Sequence, residues 1–528
     1  MTAAGHDLHA ALSALDRPCY VIRTGTRTGV SHDPPPPGAA LLAAAGPLPP
    51  ERLGAPGFPR AHGVRRPYMA GAMAGGIAGP RLVAALSRAG YLAAFGAAGL
   101  PGDRIDDALA ALRRELGDHA PFACNLLHAP MAPHLERTCV DLCLKHHVTC
   151  VEASAFVQLT PDLVRYRLTG LRPDPATGVH AGHRVVAKVS REETAALFLR
   201  PAPEPLVALL LRDGRISDRQ ALLARSVPMA DALTAEADSG GHTDRRPLTV
   251  LLPALARLRD RLLRAYDRPP VVHLGAAGGL GCPHAVAAAF ALGADYVVTG
   301  SVNQATVEAD TAPGVKRLLA GAGVADCVMA PAADMFEQGV QVQVLGRGTM
   351  FPVHAARLYR LYRDHESLEA LPAAELRRLE ERVLRRPLPE VWRDTAAYLA
   401  EHDPDQLARA ERDPRHRMAL SFRWYLGMSS RWATAGDTGR AADWQVWCGP
   451  AMGAFNRWTA GTALAAPENR HAAVVADHLL RGAAYRTRVA HLTAHGVRIP
   501  ASCADHRLPD AGENRLDSDT GHHSRSFP

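Results

Sequence analysis

A chain of 528 residues is too long for one ordinary compact domain, and its 47% hydrophobic and 21% charged residues are typical of a globular protein with a large core. The formal net charge is +7, and this basic excess either serves solubility or attracts an acidic partner. No run of lysine and arginine with interleaved aromatic residues occurs, which excludes a nucleic-acid groove as the organising feature.

The cysteines and the N-terminal residues indicate the cellular compartment in which we expect the protein. The nine cysteines include no CxxC pair, and Cys139 and Cys143 have no partner cluster of matching spacing. This pattern predicts reduced thiols rather than a disulfide framework or a zinc site. The N-terminal residues lack a basic start followed by an apolar stretch, and no apolar run reaches the ~18 residues of a membrane span. We therefore expect a cytoplasmic protein with no membrane span and no metal.

The alternation of short apolar runs with amphipathic stretches predicts the fold. Residues 1–66 are rich in proline and glycine and predict an N-terminal arm with little regular structure beyond a short strand at Cys19–Arg23. From residue 67 onward the pattern is that of successive βα units. The candidate strands are, in chain order, Tyr68–Ala72, Tyr91–Phe95, Phe122–Leu127, Val148–Ser154, Arg184–Ser190, Leu233–Asp238, Val271–Gly275 and Tyr296–Gly300. Eight units over about 240 residues predict the α/β class and a (β/α)₈ TIM barrel rather than an open doubly wound sheet.

Three further segments complete the predicted organisation. Within the barrel, assigned to residues 67–354, the interval 192–230 is too long for a simple connection and predicts an insertion. Residues 326–351 contain the alternating run VQVQVL and predict a flap. Residues 355–498 are arginine-rich with helical periodicity, which predicts an appended, mainly helical domain. The polar residues 499–528 predict a disordered tail.

Glycine-rich turns follow the last two predicted strands, at Gly278-Gly279 and at Gly300-Ser301. Barrels that bind phosphate use the loops after strands seven and eight, together with the start of the following helix. Glycine lets the backbone amides approach the phosphate oxygens. The two turns therefore predict a phosphate site, with tight βα turns that bind nothing as the alternative. A dinucleotide fold is disfavoured because GAAGGLG lacks the GxGxxG spacing.

Other strand ends add polar and small residues on the same face. After strand six, the Gly240-Gly241 pair lets the backbone press against a flat ligand and places His242 at the barrel mouth. Small residues follow strand one, and Asn125 near the end of strand three offers both a donor and an acceptor. Glu152 on strand four and Lys188 on strand five belong either to the ligand site or to a core ion pair.

These residues lie within longer motifs: GAMAGGIAG, NLLHAP, VEASAFVQLTPDLVRYRLTGL, AKVSR, EADSGGHTD, TGSVNQA, APAADMFEQGVQVQVLGRGTMFP, FRWYLGMSSRWA and WCGPAMGAFN. Over roughly residues 15–490 the motifs closely resemble the PfaD-type enoyl reductases. That family comprises the stand-alone reductases of polyunsaturated fatty acid synthases and trans-acyltransferase polyketide synthases. It belongs to the nitronate monooxygenase (2-nitropropane dioxygenase-like) superfamily of flavin barrels.

The resemblance implies a barrel that contains FMN, an added helical substrate-binding region, and use of NADPH to reduce enoyl thioesters carried on acyl carrier protein. It identifies His242 as the active-site histidine, acting either as proton donor or as stabiliser of negative charge on the thioester oxygen. The flavin contacts implied by the resemblance are Gly71, Ala72, Met73, Asn125, Lys188, Gly240, Gly241, Gly278, Gly279, Gly300 and Ser301. At two positions this sequence has a residue other than the Asn of the family pattern, namely Gly75 and Arg245. These two differences bear on the substrate preference.

Two rival functions and two open interpretations remain at the level of sequence. The rivals are a nitronate monooxygenase-type flavin oxidase and a non-catalytic scaffold of a synthase complex. The aromatic segments Phe422–Ala433 and Trp447–Trp458 predict either an acyl tunnel or an interface with the barrel. Arg423 and Arg431 either receive an acidic carrier protein or belong to a solvated face.

Overall fold

The computed structural model describes residues 5–118, 120–130, 132–176, 178–508 and 510. The strands are β1 (Cys19–Thr24), β2 (Arg27–Ser31), β3 (Ala40–Ala45), β4 (Tyr68–Ala70), β5 (Leu92–Phe95), β6 (Ala123–Leu127), β7 (Cys150–Ser154), β8 (Arg172–Asp174), β9 (Gly178–His180), β10 (Arg184–Val189), β11 (Ala232–Glu236), β12 (Gly241–His242), β13 (His273–Ala277), β14 (Tyr296–Thr299), β15 (Cys327–Pro331) and β16 (Gln341–Leu345).

The α-helices are α1 (Gly5–Ser13), α2 (Gly57–His62), α3 (Pro80–Arg88), α4 (Gly102–Leu116), α5 (Pro133–Lys145), α6 (Pro161–Leu168), α7 (Glu192–Leu199), α8 (Glu204–Arg212), α9 (Asp218–Leu223), α10 (Leu248–Leu263), α11 (Pro283–Ala291), α12 (Ser301–Gln304), α13 (Pro313–Ala320), α14 (Phe351–Asp364), α15 (Ala373–Arg378), α16 (Leu388–His402), α17 (Pro404–Arg412), α18 (Pro414–Ala435), α19 (Ala451–Thr459) and α20 (Ala472–Ala494).

Eight parallel strands close into a barrel in the order β4-β5-β6-β7-β10-β11-β13-β14, and β14 returns to β4 with Val298 opposite Met69. Each observed strand overlaps one of the eight predicted strands, so the predicted (β/α)₈ barrel is confirmed. One end of the barrel is plugged by α2, whose Phe58 is fully buried and stacks on Tyr296 with ring centroids 3.9 Å apart. Because that end is filled, the opposite face, at the carboxyl ends of the strands, is left for ligands.

The N-terminal arm contains more structure than its composition predicts. The predicted strand at Cys19–Arg23 is present as β1, but it pairs with β2 and β3 in an antiparallel sheet, so the expectation of little further regular structure was wrong. Cys19 and Val21 alternate inward into the main core, and Arg488 of α20 donates hydrogen bonds to backbone carbonyls along this arm. The arm is ordered by long-range contacts with α20, which local composition does not reveal.

The predicted flap is a small antiparallel sheet. The VQVQVL run forms β16, which pairs with β15 on one side and with β12 on the other. Since β12 contains His242, the flap is bonded directly to the turn that carries the candidate active-site histidine.

The predicted helical domain, residues 355–498, holds two groups of helices with different neighbours. Residues of α14, α16 and α18 share a core with Phe336 and Val342 of the flap. In contrast, α20 packs along α11 and α3 of the barrel, within the main core. The first group lies in a chain segment, residues 350–442, whose two ends meet, because Met350 N donates to Ala442 O at 2.6 Å. We call this segment the helical excursion.

The predicted disordered tail, residues 499–528, is described only in part. Residues 501–503 form a short helical turn, Cys503 is buried, and Tyr485 of α20 donates to Cys503 O at 2.7 Å. The expectation of disorder was therefore wrong for residues 499–508, and residues 511–528 lie outside the described residues.

Among the described residues, no single helix has the length and apolar character needed to cross a membrane. The pair α7 and α8 meets that test only jointly, and it is bent by 49°.

Candidate active site

The predicted site residues gather at one face of the barrel. Those of the first, sixth, seventh and eighth barrel strands follow the strand ends, while Asn125 and Lys188 lie near the carboxyl ends of β6 and β10. Carboxyl ends of parallel barrel strands open on the same side, so the structure brings the predicted residues to one mouth. Their individual roles stay predictions.

The turn Gly240–His242 is held on two sides. Gly241 has φ +81°, and it pairs with Gln343 of β16. Gln343 Nε2 donates to Asp238 Oδ1 at 3.0 Å and to Ser239 O at 3.3 Å. A Cβ on Gly240 would lie 3.0 Å from the backbone of Cys448, so glycine is needed there for close approach of two chain segments.

His242 is paired with a carboxylate from the flap. Its Nε2 lies 3.2 Å from Asp334, and the two side chains are 39% and 51% exposed. Burial disfavours the charged imidazole, but the hydrogen bond to Asp334 and its negative charge outweigh burial and raise the pKa of His242. Burial likewise opposes the charge on Asp334, yet the hydrogen bond and charge of His242 lower the pKa of that carboxyl. The pair thus favours a protonated histidine at the barrel mouth.

Asp334 was not among the predicted site residues. It lies in the quoted motif APAADMFEQG, between β15 and β16, far along the chain from the barrel strands. The motif itself was the available signal, but nothing in its pattern distinguishes this acidic residue from its neighbours.

A partly buried ion pair also lies at the mouth. Lys188 Nζ is 2.7 Å from Glu236 Oε1, and Glu152 is fully buried nearby. Burial alone would lower the pKa of Lys188, but the charges of Glu236 and Glu152 raise it above its ordinary value. Burial raises the pKa of Glu152, although the charge of Lys188 opposes this. Lys188 thus takes part in an ion pair at the mouth, and its contact with a flavin stays a prediction.

Two buried polar side chains, Glu152 and Asn125, lie beside this pair. Ala72 N donates to Glu152 Oε2 at 2.9 Å, while Glu152 Oε1 is buried and has no hydrogen-bond partner among the described residues. Asn125 is also buried, and its Nδ2 donates to Glu152 O at 3.1 Å and to Ser154 Oγ at 3.0 Å. A buried acceptor without a donor is costly unless a ligand supplies one.

The two glycine turns leave room for an anion. Gly278 and Gly279 have φ +90° and +72°, and a Cβ on Gly278 would meet the backbone of Ala237. In contrast, a Cβ on Gly279 or Gly300 would meet no atom of the described residues within 4 Å. Ser301 Oγ accepts a hydrogen bond from Gly449 N at 3.0 Å. Open space at Gly279 and Gly300 fits a bound phosphate.

The aromatic segment Trp447–Trp458 lies at the interface with the barrel. The backbone of Trp447 forms an antiparallel β-bridge with Val344 of the flap. Gly281 of the barrel approaches this segment so closely that a Cβ there would lie 1.8 Å from Ala451 O. The segment Phe422–Ala433 lies in α18, where Phe422 and Tyr425 are buried in the helical core. Arg423 pairs with Glu337 at 3.3 Å, whereas Arg431 is exposed.

Three cysteines that are distant in sequence meet behind β6. The Sγ atoms of Cys124, Cys139 and Cys143 all lie within 4.8 Å of one another, and all three residues are buried. Cys139 and Cys143 are one turn apart on α5, so Cys124 on the facing strand supplies the partner that sequence spacing did not indicate. Cys139 Sγ donates to Asn125 O at 3.5 Å.

Comparisons with known proteins add family information. The family model for nitronate monooxygenase matches residues 61–370, which include every barrel strand and the flap. A second model, the inserted helical domain of acyl-carrier-protein S-malonyltransferase, matches residues 365–444.

Relatives occur in two kinds of biosynthetic protein. The chain is 45% identical over 491 residues to a polyunsaturated fatty acid synthase component of Thraustochytrium sp., covering 91% of this chain and 32% of that protein. It is 43% identical over 430 residues to polyketide biosynthesis protein PksE of Bacillus subtilis, covering 81% of this chain and 56% of that protein. The chain thus spans between about a third and just over half of these relatives.

One solved structure resembles this chain over the full length of the solved domain. The enoyl reductase domain of MlnA, from the macrolactin biosynthesis cluster of Bacillus amyloliquefaciens, superposes with a TM-score of 0.81 and is 36% identical. The alignment covers 84% of this chain and 100% of that domain.

Proposed function

Because this chain belongs to the nitronate monooxygenase family, we propose that it is an FMN-dependent, NADPH-linked enoyl reductase. We propose further that it acts in trans on α,β-unsaturated thioesters held by the acyl carrier protein of a polyketide or polyunsaturated fatty acid synthase. The observation that carries the proposal is the His242–Asp334 pair beside open glycine turns, in a chain similar to an enoyl reductase domain over that domain's full length.

The residues at the mouth fit FMN. The open turns at Gly279 and Gly300 suit its phosphate, and the unpartnered Glu152 Oε1 suits a donor on a flat polar ring. Residues 71–73, Asn125, Lys188 and the Gly240-Gly241 pair would complete its binding surface. Bound FMN would supply hydride transfer from NADPH to the β-carbon of the thioester.

We assign His242 to the part of the reaction that complements hydride transfer to the β-carbon. Asp334 engages Nε2, so the proton offered to a substrate is the one on Nδ1. Because the hydrogen bond and charge of Asp334 raise the pKa of His242, the protonated imidazole that carries this proton is favoured. It either donates the proton to the α-carbon or stabilises negative charge on the thioester oxygen. Asp334 holds the ring in place and compensates its positive charge.

The test uses the purified protein under anaerobic conditions. We expect a flavin absorbance spectrum, bleaching of that spectrum by NADPH, and its recovery on addition of a crotonyl thioester. A colourless protein that does not take up added FMN would support the scaffold function and overturn the proposal.

The family match also favours one second candidate, a nitronate monooxygenase-type flavin oxidase. The same sample separates the two functions. Recovery of the flavin spectrum only with oxygen and a nitronate, and not with the thioester, would assign the oxidase.

A further inference from the structure

Three thiols form a buried cluster where β6 packs against α5. Cys124 and Cys143 are fully buried, Cys139 is 6% exposed, and the three Sγ atoms lie within 4.8 Å of one another. Cys19 and Cys150 are also buried. Yet in the part of the chain that the structure describes, no other three His, Cys, Asp or Glu side chains bring their ligand atoms so close together. Burial alone therefore does not account for this grouping.

The separation of the sulfur atoms is close to that of a thiolate metal site. Zinc binds thiolate sulfur at about 2.3 Å, so two sulfurs at corners of a tetrahedral site lie about 3.8 Å apart. The three Sγ atoms need to close by no more than about 1 Å to reach that geometry. They project from a strand and from one face of a helix, which are rigid supports for a ligand set.

A backbone oxygen is placed to act as a fourth ligand. Asn125 O lies 3.5 Å from Cys139 Sγ and 3.7 Å from Cys124 Sγ. In a tetrahedral zinc site with an oxygen ligand at about 2.1 Å, the oxygen and a sulfur lie about 3.6 Å apart. A carbonyl oxygen has two lone pairs, so it can accept a hydrogen bond within the sheet and still face a cation.

We propose that the three thiols and Asn125 O form a structural site for a thiophilic divalent cation, with Zn²⁺ as its occupant. Each thiol gives up its proton to solvent on binding, and the cation leaves the buried cluster with a single net negative charge. The expectation of no metal rested on spacing along the chain, which does not show that Cys124 lies beside α5. The inference does not depend on the proposed function.

Two other fates of the cluster are chemically distinct. A free buried cysteine packs as a small hydrophobic side chain, and a disulfide joins only two sulfurs, at about 2.05 Å. Neither uses the approach of all three sulfurs to one carbonyl oxygen. Cys139 and Cys143, one turn apart on α5, both approach Cys124, as coordination at three points requires.

The cation would tie the carboxyl end of β6 to α5. Asn125 connects the site to the barrel mouth, because its Nδ2 donates to Glu152 O at 3.1 Å and to Ser154 Oγ at 3.0 Å. Coordination of Asn125 O would hold this end of the strand from the outer side of the barrel. The cation therefore stabilises the fold and takes no part in the reaction.

The first experiment measures metal content and metal uptake in the full-length protein. After purification under anaerobic, reducing conditions, mass spectrometry of the elements should find about one zinc ion per chain. After the zinc is removed with a chelator, Co²⁺ should bind with the same stoichiometry. Its tetrahedral thiolate site should give visible absorbance bands at wavelengths longer than those that a flavin absorbs.

A pair of alanine variants locates the ion. Cys143→Ala should weaken Co²⁺ binding at least about 100-fold, because one of the three thiolates is lost. The matched control Cys19→Ala removes an equally buried thiol from the N-terminal sheet and should change the affinity less than twofold. Removal of zinc should lower the unfolding temperature of the wild type and of Cys19→Ala but not that of Cys143→Ala.

The wild-type protein decides the outcome even if Cys143→Ala does not fold. A wild type with no stoichiometric zinc and no thiolate bands on addition of Co²⁺ overturns the proposal, whether its three cysteines are free or two of them form a disulfide. Unchanged Co²⁺ affinity in Cys143→Ala overturns it as well, because the metal then lies elsewhere. A zinc-loaded protein that reduces no thioester keeps this inference and removes the proposed function.

Discussion

Arg488 and Lys188 are both cations held inside the protein, but their surroundings differ. The two Nη atoms of Arg488 donate to five backbone carbonyls, those of Leu12, Ala14, Leu15, Arg17 and Gly46. Lys188 instead faces two carboxylates at the barrel mouth, and in the part of the chain that the structure describes one oxygen of Glu152 has no hydrogen-bond partner. The first region has fixed, uncharged acceptors and serves folding. The second has titratable groups with unused capacity, as a ligand site requires.

The largest effect is expected at the first region. Arg488→Met should lower the free energy of unfolding by about 3–5 kcal/mol, because its hydrogen bonds to five backbone carbonyls, those of Leu12 and Leu15 in buried positions, are lost. Urea unfolding followed by circular dichroism measures this change, and the flavin content of the folded variant should be normal. Arg498→Met, at an exposed site, is the control. A loss below ~1 kcal/mol for Arg488→Met would contradict the assignment of this region to folding.

At the second region, His242→Ala should leave stability and FMN content unchanged but slow reoxidation of the flavin by a crotonyl thioester about 100-fold. The physical reason is the loss of the group proposed either to donate the proton or to stabilise negative charge on the thioester oxygen. Stopped-flow absorbance measures the rate, with the exposed His495→Ala as control. Full turnover in His242→Ala would remove this histidine from the mechanism.

A smaller, pH-dependent effect is expected for Asp334→Asn. Asp334 raises the pKa of His242, so the variant should lower it. A reaction that needs protonated His242 declines as pH rises through that pKa, and the decline should therefore begin at lower pH in Asp334→Asn. We expect nearly equal rates at pH values below the pKa of His242 in both proteins and a several-fold lower rate for the variant at pH values above them, seen in the profile of kcat/KM. Asp405→Asn, at an exposed site, should show the wild-type profile.

The smallest effect distinguishes two glycines with the same backbone strain. Gly279 and Gly293 both have positive φ, and a Cβ on either would meet no atom within 4 Å. Alanine at either position should cost about 1 kcal/mol of stability. Only Gly279→Ala should also weaken FMN binding, by about fivefold, because its methyl group occupies space assigned to the phosphate. Equal FMN affinity in the two variants would place the phosphate elsewhere.

The barrel was accessible from sequence because each strand is a short apolar run bounded by polar or glycine residues. The eight runs reappear as β4–β7, β10, β11, β13 and β14. The N-terminal sheet was missed because its order comes from Arg488, more than 440 residues away along the chain. Likewise, nothing in the helical pattern of residues 472–494 distinguishes a helix that packs on the barrel from one in the excursion.

The candidate site residues that could be predicted from the sequence are those whose position depends on local chain geometry. Glycine turns after strands and the GGH sequence can be read directly, and all of them lie at the mouth. Partners contributed by distant segments could not be read in this way. Asp334, the Glu236 partner of Lys188 and the Cys124 thiol each required the three-dimensional structure.

The hydrogen bond between Met350 and Ala442 also bears on how such a protein arises. A segment whose two ends touch can be inserted into a folded host, or removed from it, without redirecting the chain on either side. The helical excursion has this property, and residues 365–444 match a domain that is described as inserted in another protein. A short linker from residue 350 to residue 442 should therefore leave the barrel and its glycine turns able to fold.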